Sequence, residues 1–205
     1  MRRLLITSSL LLLFAGSYTQ SAEPVDKPPK GEEYFPISIG KRWTYRIQGQ
    51  EERLVITAVT EEKVGNVACI RLEGRLQNRL IATEHIALQK GGVYRYRNDG
   101  LDIEPPLRIC KFPPEANETW KVEYKVNDKK ASLDYECDFE EVKVPAGTYQ
   151  ALVVRSEVPD RAGKLKNTVW YAPKVGMVRQ LIEDGDSKIE LRLERVDHVN
   201  DKKMP

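Results

Sequence analysis

The chain has 205 residues and a mass of 23.5 kDa, with 40% hydrophobic, 31% charged and 8% aromatic residues. These values exclude a disordered chain, a collagen-like repeat and a polytopic membrane protein, and they suffice for one core-forming domain or two small ones. The formal net charge of +2 falls to zero if residues 1–22 are removed, because they hold Arg2 and Arg3 and no acidic residue. A neutral chain argues against nucleic acid as a partner.

The N-terminus has the three parts of a secretory signal peptide. Arg2 and Arg3 precede an apolar run over residues 4–15, and small residues follow, which predicts cleavage after Ala22, with Ser17 as the alternative. The run is shorter than the roughly 20 residues that a membrane-spanning helix needs, and a retained N-terminal anchor is the alternative. We therefore expect an exported protein, periplasmic or secreted, with no membrane span after signal removal.

Residues 13–17 resemble a bacterial lipobox in which Ser17 occupies the position of the lipid-carrying cysteine. The first cysteine of the chain is Cys69, so we expect no lipid anchor of that kind. Residues 23–33 carry three prolines and six charges without periodicity, which predicts a disordered leader. A single β domain is predicted at 34–198, followed by a flexible tail at 199–205.

Apolar and polar side chains alternate from residue 41 onward, which is typical of antiparallel β-strands. The clearest predicted strands lie near 42–48, 120–125, 132–140 and 189–194. Further strands are predicted near 53–60, 66–76, 79–89, 93–98, 149–158, 165–171 and 176–183. No segment has convincing helical spacing. We therefore expect an all-β domain whose curved antiparallel sheet forms an open half-barrel or a sandwich.

Two segments that begin 77 residues apart share one pattern: Phe-Pro, three residues, Gly or Asn, two residues, Trp. The variable position is Gly40 in the first segment and Asn117 in the second, and these residue types most readily adopt positive φ. The pattern predicts a loop that turns at this position and places Trp43 or Trp120 in the core, as equivalent anchors and not as ligand contacts. It is consistent with two related sheet halves, or with two independent uses of one strand entry.

Three motifs resemble a family of exported bacterial proteins for which no activity is established. They are Tyr34-Phe35-Pro36 followed by Gly40 and Trp43-Thr44-Tyr45, then VPAGTY at 144–149, and WYAP-x-VGMV at 170–178. The resemblance covers roughly residues 34–183. It implies a long antiparallel sheet curled into a half-barrel, similar in outline to periplasmic lipoprotein carriers, and it implies no site residues. The chain differs from the lipoprotein members in lacking the lipobox cysteine.

The sequence contains no motif of a metal, cofactor or hydrolase site. His85 and His198 are its two histidines, and Cys-x-x-Cys, Gly-x-Ser-x-Gly and glycine-rich phosphate loops do not occur. We therefore predict no cofactor and no catalytic residues. The alternative is a hydrolase-type enzyme whose site is assembled from scattered residues, with Glu84, His85 and Arg95 as first candidates. Glu84 shares a row with apolar residues, which indicates an inward acid or an ion pair with an arginine.

The three cysteines are Cys69, Cys110 and Cys137. In an exported chain an odd number leaves one thiol unpaired if the other two bond. A disulfide between Cys110 and Cys137 is the predicted pair, and three buried thiols are the alternative.

The aromatic side chains of the predicted strands have two interpretations. They fill a closed core, or some of them line a concave apolar groove. Together with the predicted export and the absence of a catalytic motif, this favours a non-enzymatic β-domain. Its concave face would bind an apolar small molecule, a lipid or a lipoprotein segment.

Overall fold

The computed structural model describes residues 29–160 and 163–199. The predicted signal peptide with its cleavage sites at Ser17 and Ala22, most of the leader, and residues 200–205 of the tail lie outside the described residues. Among the described residues, no helix combines the length and the apolar character needed to cross a membrane.

Twelve β-strands follow one short 3-10 helix at Gly31–Tyr34 in the described part of the chain. In chain order they are β1 (Lys41–Ile47), β2 (Arg53–Val64), β3 (Val67–Leu76), β4 (Arg79–Gln89), β5 (Gly92–Asn98), β6 (Leu101–Lys111), β7 (Glu118–Val126), β8 (Lys129–Val144), β9 (Gly147–Asp160), β10 (Gly163–Ala172), β11 (Gly176–Asp184) and β12 (Ser187–His198). Each strand pairs antiparallel with its neighbours in sequence, and β1 pairs with β12. The sheet is therefore a closed barrel.

The predicted all-β class and curved antiparallel sheet are confirmed, but the prediction of an open half-barrel or sandwich is wrong. β1 closes the sheet, since it pairs with β12 along Lys41–Ile47 and with β2 along Arg42–Arg46. Bulges interrupt several of the ladders and add twist and bend, as closure requires. The alternation of inward and outward residues is the same in open and closed sheets, so the sequence pattern did not distinguish them.

β6 is a strand that the sequence did not predict. Pro105 and Pro106 lie in its middle, and proline lacks the N–H that a central strand must donate. β6 pairs with β5 at several positions, whereas its register with β7 has a single described pair, Glu104 with Lys125. We call this poorly paired junction the β6–β7 seam.

Side chains span the seam where the backbone ladder is missing. The indole N–H of Trp120 on β7 donates to the carbonyl of Arg108 on β6 at 3.0 Å. The Lys111 ammonium on β6 forms an ion pair with Glu118 on β7. These contacts hold the two strands together without the regular hydrogen bonds of a sheet.

The two strand entries with the shared Phe-Pro pattern have the predicted backbone. Gly40 has a φ of +87° and Asn117 a φ of +59°. Trp43 and Trp120 follow them in β1 and β7, six strands apart in the barrel, and their exposed fractions are 5% and 8%. Each indole N–H donates to a backbone carbonyl, Trp43 to that of Val175 at 2.7 Å. The two tryptophans are therefore buried, as expected, but they are not equivalent, because Trp43 also lines the cavity inside the barrel and Trp120 does not. Whether the two halves are related stays a prediction.

The segment before β1 packs into one end of the barrel. Tyr34 and Phe35 are buried, and the ring of Phe35 lies 4.4 Å from that of Tyr171, centroid to centroid. The 3-10 helix begins at Gly31, where an added Cβ would lie 2.3 Å from the Phe112 ring. This helix thus begins three residues before the predicted boundary at residue 34 and leads into the two buried aromatic rings. We call Tyr34 and Phe35 the N-terminal plug.

Candidate ligand-binding site

The barrel encloses a cavity of about 660 Å³. Its inner end is lined by buried side chains, namely the plug residue Phe35 together with Trp43 and Tyr45 of β1. At its other end the lining includes Ile81 and Leu101, which are 45% and 42% exposed. The cavity therefore runs from the plug to an exposed apolar rim, and its volume is within the roughly 300–1,000 Å³ usual for small-molecule sites.

The number of strands explains why this space is not filled. Eight-stranded barrels have interiors just wide enough for side chains to fill, and the diameter grows about linearly with strand number. With twelve strands, the inward side chains of β2, such as Leu54 and Ile56, line an open space. Small residues near the rim, Gly74 on β3 and Ala82 on β4, leave additional room. The cavity is thus a consequence of closing a twelve-stranded sheet.

The lining is mainly apolar, with a few polar groups. Its charged side chains are Glu84 on β4 and Arg95 on β5. The Nε and Nη2 atoms of Arg95 donate to the same oxygen of Glu84, Oε2, at 3.2 and 3.0 Å. Neutral polar lining residues are Asn98, Ser156, Asn167 and Gln180. Glu84 thus lines the cavity and is paired with an arginine, which confirms the expectation of an ion pair for this residue.

His85 lies outside the cavity, on the other face of β4. Successive residues of a strand point to opposite faces, so His85 and its neighbour Glu84 diverge. Its ring is buried against outer-face side chains, and Nε2 lies 2.7 Å from Oε2 of Glu62. Glu62 also accepts from Arg71 at 3.1 Å. The three candidates of the hydrolase hypothesis are therefore not assembled into one site.

All three cysteines are buried and carry free thiols in the structure. Cys110 and Cys137 belong to one core cluster, and Cys137 Sγ lies 3.1 Å from the carbonyl of Glu115. Burial raises the pKa of Cys69, Cys110 and Cys137, which keeps the thiols protonated. This arrangement matches the alternative of three buried thiols. The predicted disulfide between Cys110 and Cys137 is not formed here and stays a prediction for the oxidised protein.

Metal-ligating residues are scattered. Within the described ranges no three His, Cys, Asp or Glu side chains are grouped so that they could hold a metal ion. His198 lies at the end of β12, opposite Lys41 of β1 in the ladder. Neither histidine lines the cavity.

Sequence reasoning missed the neutral polar groups of the cavity. Gln180 donates to Asn167 Oδ1 at 2.9 Å, and Ser156 Oγ lies 3.5 Å from the Asn167 carbonyl. They lie on β9, β10 and β11, where the alternation pattern was least regular. Only the register of each strand shows that these residues face inward.

Comparisons with known proteins give a family match and a fold likeness. Residues 101–191, from β6 into β12, match the model of the DUF3108-like family. No curated protein matches the chain. A presumed lipoprotein from Parabacteroides distasonis has 16% sequence identity and a TM-score of 0.48 over 80% of this chain and 98% of that chain. A presumed exported protein with a YmcC-like fold from Bacteroides fragilis has 16% identity and a TM-score of 0.45, with the same coverage.

Proposed function

We propose that the protein is an exported, non-enzymatic binding domain that holds an apolar small molecule or the acyl chain of a lipid inside its barrel. The observation that carries this proposal is the cavity of about 660 Å³, lined mainly by apolar side chains and reaching an exposed rim at Ile81 and Leu101. Exposed apolar side chains beside an apolar cavity cost free energy in the free protein, and covering them with an apolar ligand recovers it.

Several features support binding over catalysis. The charged lining residues, Glu84 and Arg95, are bound to each other, and the one histidine considered as a base lies on the outer face of β4. A hydrolytic site would need a nucleophile and a base within hydrogen-bond reach of one another. Among the residues that line the described cavity, no nucleophile and base are paired in this way.

Export is proposed from the N-terminal sequence. The basic start, the apolar run and the small residues up to Ala22 are those of a signal peptide. Since Ser17 replaces the lipobox cysteine, we propose that the exported chain carries no lipid at that position. The family and the two solved structures reported above are consistent with this proposal and do not carry it.

A titration with a neutral apolar fluorophore, N-phenyl-1-naphthylamine, tests the binding function. We expect saturable enhancement of its fluorescence, and competition by hexadecanol. Replacing Ala82, a small lining residue near the rim, by Trp should weaken binding at least about tenfold, because the indole would occupy ligand space. Thr83→Trp is the matched control, since Thr83 is the next residue of β4 and does not line the cavity.

Three results would change the proposal. Absence of saturable binding in the folded protein would contradict it, and so would equal binding by Ala82→Trp and Thr83→Trp variants whose melting curves show that both are folded. Displacement of the fluorophore by an acylated lipopeptide but not by hexadecanol would replace the free ligand by a lipoprotein segment.

A further inference from the structure

The polar groups inside the cavity form one cluster around Arg95. Arg95 and Glu84 have side-chain exposed fractions of 27% and 32%, although their neighbours Ile86 and Leu107 are buried. Both residues line the cavity, so this exposed surface faces its interior. A charged pair has thus been kept inside a mainly apolar barrel, where a pair of apolar side chains would have cost less desolvation.

The pair does not use its full hydrogen-bonding capacity. Both donors of Arg95 that bond Glu84, Nε and Nη2, are directed at Oε2. Arg95 Nη1 and Glu84 Oε1 have no hydrogen-bond partner among the described residues. Neither atom is fully buried, so both are accessible from the cavity. The pair therefore presents free donors and a free acceptor to the cavity.

Two tyrosine hydroxyls extend the cluster. Tyr135 and Tyr171 line the cavity within electrostatic range of Arg95. Burial raises the pKa of both phenols, and the charge of Arg95 opposes this only in part, so both hydroxyls stay protonated. No described residue forms a hydrogen bond with either hydroxyl. Both are free to bind a ligand oxygen.

Charge decides which head group fits this cluster. Glu84 and Arg95 already neutralise each other, and no other charged side chain lines the described cavity. An ionised head group would leave one net charge uncompensated in a mainly apolar interior, which is costly. An uncharged head that accepts and donates hydrogen bonds would satisfy the free groups and keep the cavity neutral.

Building on the proposed function, we infer that the ligand is an uncharged amphiphile, an apolar chain that ends in a hydroxyl or amide head, and that Arg95 and Glu84 bind this head. The Arg95 Nη1 donors and the tyrosine hydroxyls would bind the head-group oxygen. Glu84 Oε1 would accept its hydroxyl or amide proton.

A series of chains of equal length with different heads tests this inference by displacement of N-phenyl-1-naphthylamine. At pH 7 hexadecanol and hexadecanamide should compete at least about tenfold better than hexadecane, palmitate or hexadecylamine, because only they satisfy the free groups without adding charge. If the fluorophore binds and all five compounds compete equally, the head-group inference is wrong and the proposed function stands. If the fluorophore does not bind, the proposed function itself fails.

Two substitutions should change the preference in opposite directions. Glu84→Gln leaves the cavity with the charge of Arg95, so palmitate should gain at least about tenfold relative to hexadecanol. Arg95→Gln leaves the charge of Glu84, so hexadecylamine should gain relative to hexadecanol. Glu123→Gln on the exposed face of β7 is the control and should keep the wild-type order. An unchanged order in folded Glu84→Gln would overturn the role of the pair. Should either variant fail to fold, the wild-type series decides alone.

Discussion

Gly40 and Asn117 occupy equivalent places, each three residues before a buried tryptophan and each with positive φ. Their surroundings differ, because an added Cβ at Gly40 would lie 2.6 Å from the carbonyl oxygen of Val199. Gly40→Val should therefore lower the free energy of unfolding by roughly 2–4 kcal/mol, through backbone strain and this contact. Asn117→Gly should change it by less than about 0.5 kcal/mol, since glycine adopts the same φ without strain.

Urea unfolding of both variants, followed by tryptophan fluorescence, measures this difference. If the free energy of unfolding falls by an equal and small amount in the two variants, the loop before β1 relaxes to admit a side chain. Glycine at position 40 is then not required for the loop that leads into β1.

The thiols are a second residue-level test, because they decide between the predicted disulfide and three buried thiols. Without reductant, the native protein should react slowly with iodoacetamide, since burial raises the pKa of Cys69, Cys110 and Cys137. In urea all three should be alkylated, as the structure has three free thiols. Mass spectrometry of the Cys69→Ser variant after alkylation in urea gives the clearest result. Two alkyl groups are added if Cys110 and Cys137 are free thiols, and none is added if they form a disulfide.

At the scale of elements, β7 has two unlike edges. Its ladder with β8 runs from Glu118 to Val126, whereas its register with β6 has the single pair Glu104 with Lys125. Amides of β7 that point toward β6 should therefore exchange with solvent deuterium faster than amides of the β8–β9 ladder, which is paired along its length. Hydrogen exchange with mass spectrometry measures this, with peptides of β9 as the internal reference. Equal protection of β7 and β9 would show that side chains close the seam as firmly as a regular ladder.

The strands also show how much of the fold could be predicted from the sequence. Alternation located eleven of the strands because their inward residues, such as Trp43, Tyr45 and Leu133, recur with period two. It failed at β6, where Pro105 and Pro106 lack the N–H groups of a central strand. β6 tolerates them because its β7 edge makes so few backbone hydrogen bonds.

The candidate site was predicted only in outline. An inward Glu84 paired with an arginine followed from its row of apolar neighbours, but its partner Arg95 and the tyrosines around it did not. Those positions depend on which strands become neighbours and in what register, and on closure into a barrel wide enough to leave a cavity. A single sequence fixes the local period and leaves these long-range pairings open.

For the whole molecule, outer-face carboxylates make stability depend on pH. Hydrogen bonds from His85, Arg97 and Arg46 hold the pKa of Glu62, Asp102 and Glu194, respectively, below their ordinary values. A carboxyl whose pKa is lower in the folded state stabilises it above the unfolded-state pKa, and this contribution is lost as pH falls through the folded-state pKa. Solvent screening at these partly or fully exposed groups keeps each contribution small.

Glu194→Gln isolates one of these contributions. Glu194 binds Arg46 at 2.8 Å and Arg53 at 2.6 Å. The variant should be less stable than wild type at pH 7, and the difference should shrink as pH falls through the lowered pKa of Glu194, where the wild-type carboxyl becomes protonated. Glu123→Gln is the control, since Glu123 has no ion pair in the described part of the chain. Chemical unfolding at pH 3, 5 and 7 makes the comparison, and a Glu194→Gln difference that is no smaller at pH 3 than at pH 7 would contradict it.

The β6–β7 seam bears on how the order of strands along the chain relates to their order around the barrel. Cutting the barrel there gives a strip that runs from β7 to β12, continues through the β12–β1 ladder, and ends with β2 to β6. A circularly permuted chain that joined β12 to β1 and opened between β6 and β7 would be a plain meander in which each strand pairs with the next. In the native order, the β1–β12 ladder joins two consecutive six-strand meanders, each of which begins with a strand that carries a buried tryptophan. The native chain thus forms a ladder of seven described pairs between the two strands most distant in sequence, whereas two strands adjacent in sequence, β6 and β7, share a single described pair.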